Sequence, residues 1–230
     1  MIAALGVVEL KLLLRNRTAA TLALVMPLLM GGYFAMSLSS DGWPVAIALQ
    51  LLTTFGFTVY VTVTTSLTSR RQDLYLKRLR TGAASDAVVL TGVVLPSVLL
   101  GLVQAALLLG ISVALGAPLP SRPELVALAL VGGLAMSCAA GVATSGVTST
   151  AELAQITTGP FFLALLGGGA WAMGSSDART LLVPGGGVAD LVSVAWGGEG
   201  DVGLAVLSLA GWTAVGCALS VRLFRWDARR

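Results

Sequence analysis

The sequence has 230 residues, with no histidine, two cysteines and few charges. Without imidazole, the chain has no His-based triad, His proton shuttle or His metal ligand. Cys138 and Cys217 lie in separate apolar runs, and we expect both to be buried small hydrophobic residues rather than disulfide or metal partners. Charged residues make up 11% of the chain, less than half of the roughly 25% in an average soluble protein.

Apolar residues make up 56% of the chain, and the mean hydropathy is +0.91. Several apolar runs exceed the ~18 to 20 residues that cross a bilayer. Runs bounded by charge, glycine and proline predict an all-α integral membrane protein with six transmembrane helices. We expect them at about 19–38, 44–66, 87–116, 124–148, 153–173 and 203–221.

The basic residues are distributed asymmetrically, which predicts the orientation. By this topology, 12 of the 14 fall on one side and only Arg122 and Arg179 on the other. Lysine and arginine are enriched in cytoplasmic loops, so both termini are expected in the cytoplasm. Residues 1–18 are too short and too charged to span, and we expect an interfacial helix there. The twelve basic residues expected on the cytoplasmic side are Lys11, Arg15, Arg17, Arg70, Arg71, Lys77, Arg78, Arg80, Arg222, Arg225, Arg229 and Arg230.

The predicted spans lack the groups that power most membrane pumps. Proton- and sodium-driven transporters usually carry carboxylates or other titratable residues within the membrane, and no Asp, Glu, Lys or Arg lies well inside any predicted span. The chain also has no Gly-x-x-x-x-Gly-Lys-Ser/Thr phosphate-binding loop, so it is not expected to hydrolyse ATP. If the protein does directed work, its energy must arrive through a partner.

The largest predicted cytoplasmic feature is the loop 69–86. Leu74, Tyr75, Arg78 and Leu79 share one side of a predicted amphipathic helix, and Gly82 is a plausible stop after it. Two explanations remain open from these residues alone. The helix could rest on anionic lipid headgroups, or it could dock into a groove of a cytoplasmic subunit.

Four segments together resemble the permease subunits of type-2 ABC (ABC-2) exporters, and the resemblance covers nearly the whole chain. The first resembles the connecting helix that precedes the first span, the second the coupling loop, the third the start of the fifth span, and the fourth the last outer loop. In that order, the four segments are Glu9-x-Lys11-Leu12-x-Leu14-Arg15-Asn16-Arg17 with Pro27, Arg70-Arg71-Gln72 to Thr81-Gly82, Thr150-Ala151-Glu152-x-Ala154-Gln155 with Pro160, and Val183-Pro184 to Trp196-Gly197-Gly198.

The resemblance implies a single permease domain over residues 1–230, paired with a second copy or a related permease in a bacterial cytoplasmic membrane. Two cytoplasmic ATP-binding subunits would carry ATP and Mg²⁺, and this chain would bind no cofactor. Residues 174–200 would fold back into the membrane as an outer re-entrant hairpin. The residues expected to couple to the ATPase are Arg71, Leu74, Leu76, Lys77, Arg78, Leu79 and Arg80.

The chain departs from the family pattern in its final outer loop, which is short and glycine-rich, and in lacking the external domain of some members. These departures favour a compact drug, antibiotic, lipid or peptide as the cargo over a large polysaccharide. A charge-free interior likewise favours an amphipathic or apolar molecule. Phe55, Phe57, Phe161 and Phe162 are candidates to line its route, since apolar cargo needs an apolar wall. For any one of them, a role in core packing is the alternative.

Two other functional classes remain for comparison. A lipid-modifying enzyme is disfavoured because the chain has no Asp-Asp-x-x-Asp cluster and no histidine. A membrane channel, scaffold or immunity protein without its own transport cycle stays open as the alternative to an exporter. The basic loop 69–86 favours the exporter.

Overall fold

The computed structural model of the protein describes residues 8, 11–12, 15, 17–37, 42–73, 86–175 and 177–224, and all regular structure in these residues is helical. The predicted all-α class is therefore confirmed. The longer helices are α1 (Arg17–Ala20, Thr21–Val25 and Met26–Ser37), α2 (Trp43–Gln72), α3 (Asp86–Ala114), α4 (Pro123–Val147), α5 (Ala154–Gly174), α6 (Gly186–Ala195) and α7 (Val202–Leu223).

Five of these helices, α2, α3, α4, α5 and α7, are long and apolar enough to cross a membrane. They match the second to fifth predicted spans and the last one, with ends shifted by a few residues. The helix predicted as the first span is present, but its apolar part, Thr21–Ser37, is shorter. Together with Arg17–Ala20, α1 has 21 residues and a length of about 31 Å, close to the ~30 Å of a hydrocarbon core.

Helix α2 is the central column of the bundle. Of its most apolar stretch, 78% is buried inside the protein, against 17% for α7. It contacts α1, α3, α4, α5 and α6. Its middle is a π-helix, Thr54–Val61, and a second π-helical segment, Thr21–Val25 of α1, packs against it. Such wide turns are rare within helices and occur often at functional sites.

Buried polar side chains join the two π-helical segments to α3. The Thr58 hydroxyl donates to the carbonyl oxygen of Ala23 at 2.7 Å and also lies against the Gln104 amide. The Gln104 amide nitrogen donates to the carbonyl oxygens of Ala23 at 2.9 Å and Leu24 at 3.3 Å. In hydrocarbon no water can satisfy such carbonyl groups, so these bonds fix α1, α2 and α3 together.

A second polar contact lies nearer the opposite end of the same three helices. The amide nitrogen of Gln50 donates to the carbonyl oxygen of Gly31 at 2.9 Å, and its oxygen accepts from the Ser112 hydroxyl at 3.1 Å. Both side chains are fully buried. A Cβ on Gly31 would lie 2.6 Å from the Leu108 side chain, so the absence of a side chain is what lets the helices meet.

Small residues bring α4 against α7. A Cβ on Gly146 would lie 2.6 Å from backbone atoms of Leu223, and one on Gly216 would lie 2.8 Å from the Cβ of Ala139. Side-chain-free positions of this kind allow helix backbones to approach closely in membranes. The Ser220 hydroxyl adds a hydrogen bond to the carbonyl oxygen of Ala139 at 3.1 Å.

Residues 174–200 form a hairpin beside α5. The first limb contains a 3₁₀ turn, Ala178–Leu182, and the second is α6. The chain reverses at Gly185, whose φ of +91° favours glycine and whose position against the carbonyl of Leu165 leaves no room for a Cβ. Because Leu165 lies mid-way along α5, the reversal occurs well inside the bundle.

The second limb of the hairpin returns to the end of the bundle where α3 and α4 are connected. Val188, Leu191 and Val192 of α6 are fully buried. The last carbonyl of α6, on Ala195, accepts from the Ser121 hydroxyl at 2.9 Å, and the Trp196 indole donates to the carbonyl of Pro118 at 2.7 Å.

The structure tests the predictions for the two cysteines and, in part, the prediction of an N-terminal interfacial helix. Cys138 is half-buried as expected, but Cys217 is exposed on the outer face of α7, so the prediction that it is buried is wrong. The apolar sequence around Cys217 faces the surroundings of the bundle rather than its core. Most of the predicted interfacial helix 1–18 lies outside the described residues; within it, Val8, Lys11 and Arg15 are helical and exposed.

Replacing Gln104 with methionine tests whether the buried polar contacts hold α1 to α3. We expect Gln104→Met to lower the thermal unfolding midpoint in detergent, because the carbonyls of Ala23 and Leu24 lose their donor at a cost of about 1–2 kcal/mol. Leu107→Met, on the exposed face of the same helix, is the control. Equal midpoints for the two variants would contradict the prediction.

Candidate functional site

A polar cavity of about 660 Å³ lies at the end of the bundle that carries Arg15, Arg70 and Arg71. This volume is within the range of ~300–1,000 Å³ typical of small-molecule pockets. The cavity lies between the N-terminal residues, α1, the second half of α2 and the connection from α4 to α5. Its lining comprises Leu12, Arg15, Thr18, Leu22, Val61, Thr62, Thr65, Ser66, Ser69, Arg70, Ala151, Glu152 and Gln155. We call it the inner cavity.

Helix α2 supplies one hydroxyl-rich wall of the inner cavity. Thr62, Thr65, Ser66 and Ser69 follow the three- and four-residue spacing of one helix face. The Thr65 hydroxyl donates to the Val61 carbonyl at 2.8 Å, which leaves its oxygen as an acceptor. This wall therefore offers polar groups without adding charge at membrane depth.

Charged groups stand around the inner cavity. Arg15, on the N-terminal side, and Glu152, on the α4–α5 connection, are exposed. Arg70 lies 3.9 Å from the carboxylate of Asp73 and is largely covered. Leu12 and Leu22 add an apolar surface between these groups. The cavity thus offers cations, a carboxylate, hydroxyls and aliphatic surface to one molecule.

Arg71 was predicted to contact an ATPase, and the structure places its side chain inside the protein. It is 2% exposed, and its guanidinium donates to the carbonyl oxygen of Thr148 at the end of α4. Next to it, the side-chain oxygen of Gln72 accepts from the backbone amide of Ala151 at 3.0 Å. The hydroxyls of Thr148 and Thr157 lie 2.8 Å apart.

These hydrogen bonds connect the end of α2, where loop 69–86 starts, to the α4–α5 connection, whose Glu152 lines the inner cavity. We call this group of contacts around Arg71 and Thr148 the Arg71 corner. The end of α2, where the loop begins, is thus bonded directly to the segment that lines the inner cavity. The other predicted coupling residues lie outside the described residues, and their role stays a prediction. They are Leu74, Leu76, Lys77, Arg78, Leu79 and Arg80.

The four candidate phenylalanines do not form one lining. Phe57 and Phe162 stack edge-to-face with ring centroids 4.5 Å apart, between α2 and α5. Phe161 packs on Tyr60 at 4.8 Å, whereas Phe55 is fully buried. None of the four is among the described residues that line the inner cavity, so their role in a route stays a prediction.

Phe55 has a specific packing partner in α4. A Cβ on Gly133 would lie 2.2 Å from the Phe55 ring, so this glycine provides the space that the ring occupies. Phe161 also approaches the ring of Trp212 on α7, with centroids 6.4 Å apart. In this structure the aromatic residues therefore hold helices together.

The inner cavity and most of the residues around it were not predicted from the sequence. The available signal was the run of threonines and serines on one face of α2, together with Arg15 and Glu152 at the ends of neighbouring segments. Hydropathy alone hides this signal because Thr and Ser are compatible with a spanning helix. The inward position of Arg71 left no signal, since it depends on the distant carbonyl of Thr148.

At the opposite end, Asp190 of α6 is a half-buried carboxyl near Asp201. Burial raises its pKa and the neighbouring Asp201 charge adds to the effect, although a backbone hydrogen bond from Asp201 partly offsets it. One of its oxygens has no hydrogen-bond partner among the described residues. Asp190 therefore takes up a proton more readily than an exposed aspartate does.

The family model for ABC-2 type transporters matches residues 2–173, which is most of the chain. The chain belongs to the ABC-2 type transporter family. This membership confirms the resemblance drawn from the sequence, and it makes the chain a membrane permease subunit that implies an ABC ATPase as its partner. No curated protein is significantly similar in sequence to the chain. The helices α6 and α7 lie beyond the matched residues.

Cysteine labelling tests the inner cavity and the orientation together. In a background without Cys138 and Cys217, we expect Ser66→Cys to react with a charged, membrane-impermeant maleimide in inside-out vesicles and to be protected in right-side-out vesicles. The reason is that the cavity is polar and lies at the end with the basic residues.

Two controls belong to this experiment. Ser121→Cys, exposed near the opposite end, should show the reverse sidedness, and Val103→Cys, on the exposed apolar face of α3, should react in neither vesicle. An inert Ser66→Cys, or one that reacts from the side of Ser121, would contradict the assignment of the cavity.

Proposed function

We propose that this permease exports an amphipathic or apolar molecule from the cytoplasm or the inner leaflet, driven by a separate ATP-binding subunit. The observation that carries the proposal is the inner cavity, joined through the buried Arg71 corner to the loop expected to contact the ATPase. A cavity at the basic end of the bundle is where a cytoplasmic molecule would first be received. Family membership supports the transport role.

The lining of the inner cavity favours an amphipathic cargo. Hydroxyls, Arg15 and Glu152 suit a polar headgroup, while Leu12 and Leu22 suit an aliphatic part. Farther along α2, the side chains toward the opposite end are buried and mostly apolar or bonded within the protein. A small drug, antibiotic, lipid or peptide has this chemistry, and drug efflux or antibiotic resistance is the corresponding biological use.

The power source is proposed to be a pair of cytoplasmic ATPases bound to loop 69–86. The apolar residues Leu76 and Leu79 would insert into the partner, and Lys77, Arg78 and Arg80 would contact its surface. The first bonded link inward would be Arg71, which connects the loop to Thr148. Arg71 would then act by fixing the loop to the bundle rather than by touching the ATPase.

The assembly is proposed to contain a second permease copy or a related permease, in a bacterial cytoplasmic membrane with both termini in the cytoplasm. The charge distribution supports this orientation, because Arg122 and Arg179 are the basic residues at the opposite end of the described helices. The hairpin of residues 174–200 would then be an outer re-entrant gate. Its reversal beside Leu165, mid-way along α5, supports that role.

Co-purification tests the partner directly. We expect the tagged permease to retain an ABC ATPase from its own cell, and Leu76→Asp or Leu79→Asp to release it, because a buried carboxylate in an apolar groove is strongly disfavoured. Leu119→Asp is the matched control, since Leu119 is exposed at the opposite end of the bundle. A Leu76→Asp, Leu79→Asp double variant that still binds the ATPase and still transports in step with ATP hydrolysis would refute the docking site.

A further inference from the structure

An apolar groove of about 670 Å³ runs along the exposed face of α7, outside the inner cavity and away from the coupling loop. Its α7 side is a single helix face with regular three- and four-residue spacing. The first limb of the hairpin forms its other side. The lining residues are Ala178, Arg179, Leu181, Leu182, Leu204, Leu207, Ser208, Gly211, Trp212 and Val215.

The length of the groove matches one leaflet of a bilayer. From Leu204 to Val215 the helix rises about 16 Å, and half of a ~30 Å hydrocarbon core is about 15 Å. The Ser208 hydroxyl donates to the Leu181 carbonyl and thereby fixes the hairpin limb to α7. The floor is open at Gly211, where an added Cβ would meet nothing within 4 Å.

A cation stands at the outer mouth of this groove. Arg179 precedes Leu181 on the limb that leads inward from the end of α5, so it lies nearer the outer end than Ser208. Its side chain is exposed, and among the described residues no carboxylate forms an ion pair with it. A guanidinium offers paired donors that match phosphate oxygens.

The carboxylate of Asp177 lies two residues before Arg179, and among the described residues the two side chains form no ion pair. Asp177 caps the 3₁₀ turn, with one oxygen accepting from the Arg179 backbone amide at 2.9 Å, and the residue is exposed. The groove therefore has one guanidinium in its lining, Arg179, and one carboxylate close by, on the Asp177 that caps the same turn. The complementary molecule carries a phosphate, an ammonium group and an acyl chain.

We propose that the α7 groove binds a phosphatidylethanolamine molecule of the outer leaflet. One acyl chain lies along Leu204, Leu207 and Gly211, the phosphate binds Arg179, and the ammonium group faces Asp177. Phosphatidylcholine, whose quaternary ammonium has no N–H donor, fits this mouth less well. So does phosphatidylglycerol, which has no ammonium group to meet the carboxylate.

The test is lipid retention by the purified full chain. The protein is mixed with detergent-solubilised dioleoyl phosphatidylethanolamine, phosphatidylcholine and phosphatidylglycerol in equal amounts, washed, and the bound lipid is measured by mass spectrometry. We expect phosphatidylethanolamine to be enriched about three- to tenfold over the other two, as a charge-assisted contact of modest strength would give. No enrichment, or a preference for another lipid, overturns the proposal.

Variants locate the site on the protein. Arg179→Gln is expected to abolish the enrichment, whereas Arg122→Gln, at the same end of the bundle but paired with Glu124 at 3.1 Å, should preserve it. Asp177→Asn, which keeps a capping oxygen, should reduce retention of phosphatidylethanolamine to the level of phosphatidylcholine. Gly211→Trp should expel the lipid, and Gly110→Trp, at an equally open glycine on α3, should not.

Enrichment that survives both Arg179→Gln and Gly211→Trp would also overturn the proposal, because the lipid would then be bound elsewhere. Circular dichroism of each variant separates loss of the site from loss of the fold. These measurements need neither ATP nor the exported molecule. Their outcome is therefore independent of the proposed transport function.

Discussion

Inside a bilayer there is no water to bond with backbone carbonyls, so each polar group within the spans must find its partner in the protein. In the described part of this bundle, two glutamines supply such partners, whereas the hydroxyls of Thr68 and Ser137 have none. Gln50 and Gln104 bond carbonyls of α1 from α2 and α3, and Thr58 shares the carbonyl of Ala23. Helix α2 contributes Gln50 and Thr58 to these contacts and is also the most buried of the long helices.

The contacts of α2 with its neighbours differ in chemistry from one side of the helix to the other. Buried polar contacts tie α1, α2 and α3 together, whereas α2 and α5 meet through two aromatic pairs, Phe57 with Phe162 and Tyr60 with Phe161, and through aliphatic contacts. Aromatic stacking has less strict geometry than a hydrogen bond to a buried carbonyl. The hydrogen bond from Arg71 to Thr148 connects the end of α2 to the end of α4, beside the α4–α5 connection that lines the inner cavity.

Hydropathy and charge were enough to predict the helices because the bilayer imposes a length and an apolar surface on each one. The second to fifth spans and α7 were placed within a few residues for this reason. The place of each side chain around its helix was not predictable in the same way. Phe55 and Phe57 look equivalent in the sequence, yet one fills the space at Gly133 and the other stacks on Phe162.

The features that sequence reasoning missed depend on distant parts of the chain. Arg71 stands next to Arg70 at the start of a basic loop in the sequence, yet its side chain is buried and donates to the distant carbonyl of Thr148. The π-helical segment Thr54–Val61 likewise packs against α1, α3 and α4, two of which lie far away in the sequence. Cys217 was misplaced because an apolar segment indicates burial either in the protein or in lipid, and hydropathy does not distinguish the two.

The central claim is that this bundle has no power source of its own. The most direct measurement reconstitutes the permease in vesicles with and without its ATPase and follows the uptake of a fluorescent amphipathic dye into inside-out vesicles. The account predicts uptake against the dye gradient only when the ATPase and ATP-Mg²⁺ are both present, with no response to proton or sodium gradients. Uphill uptake by the permease alone on an ion gradient would contradict it.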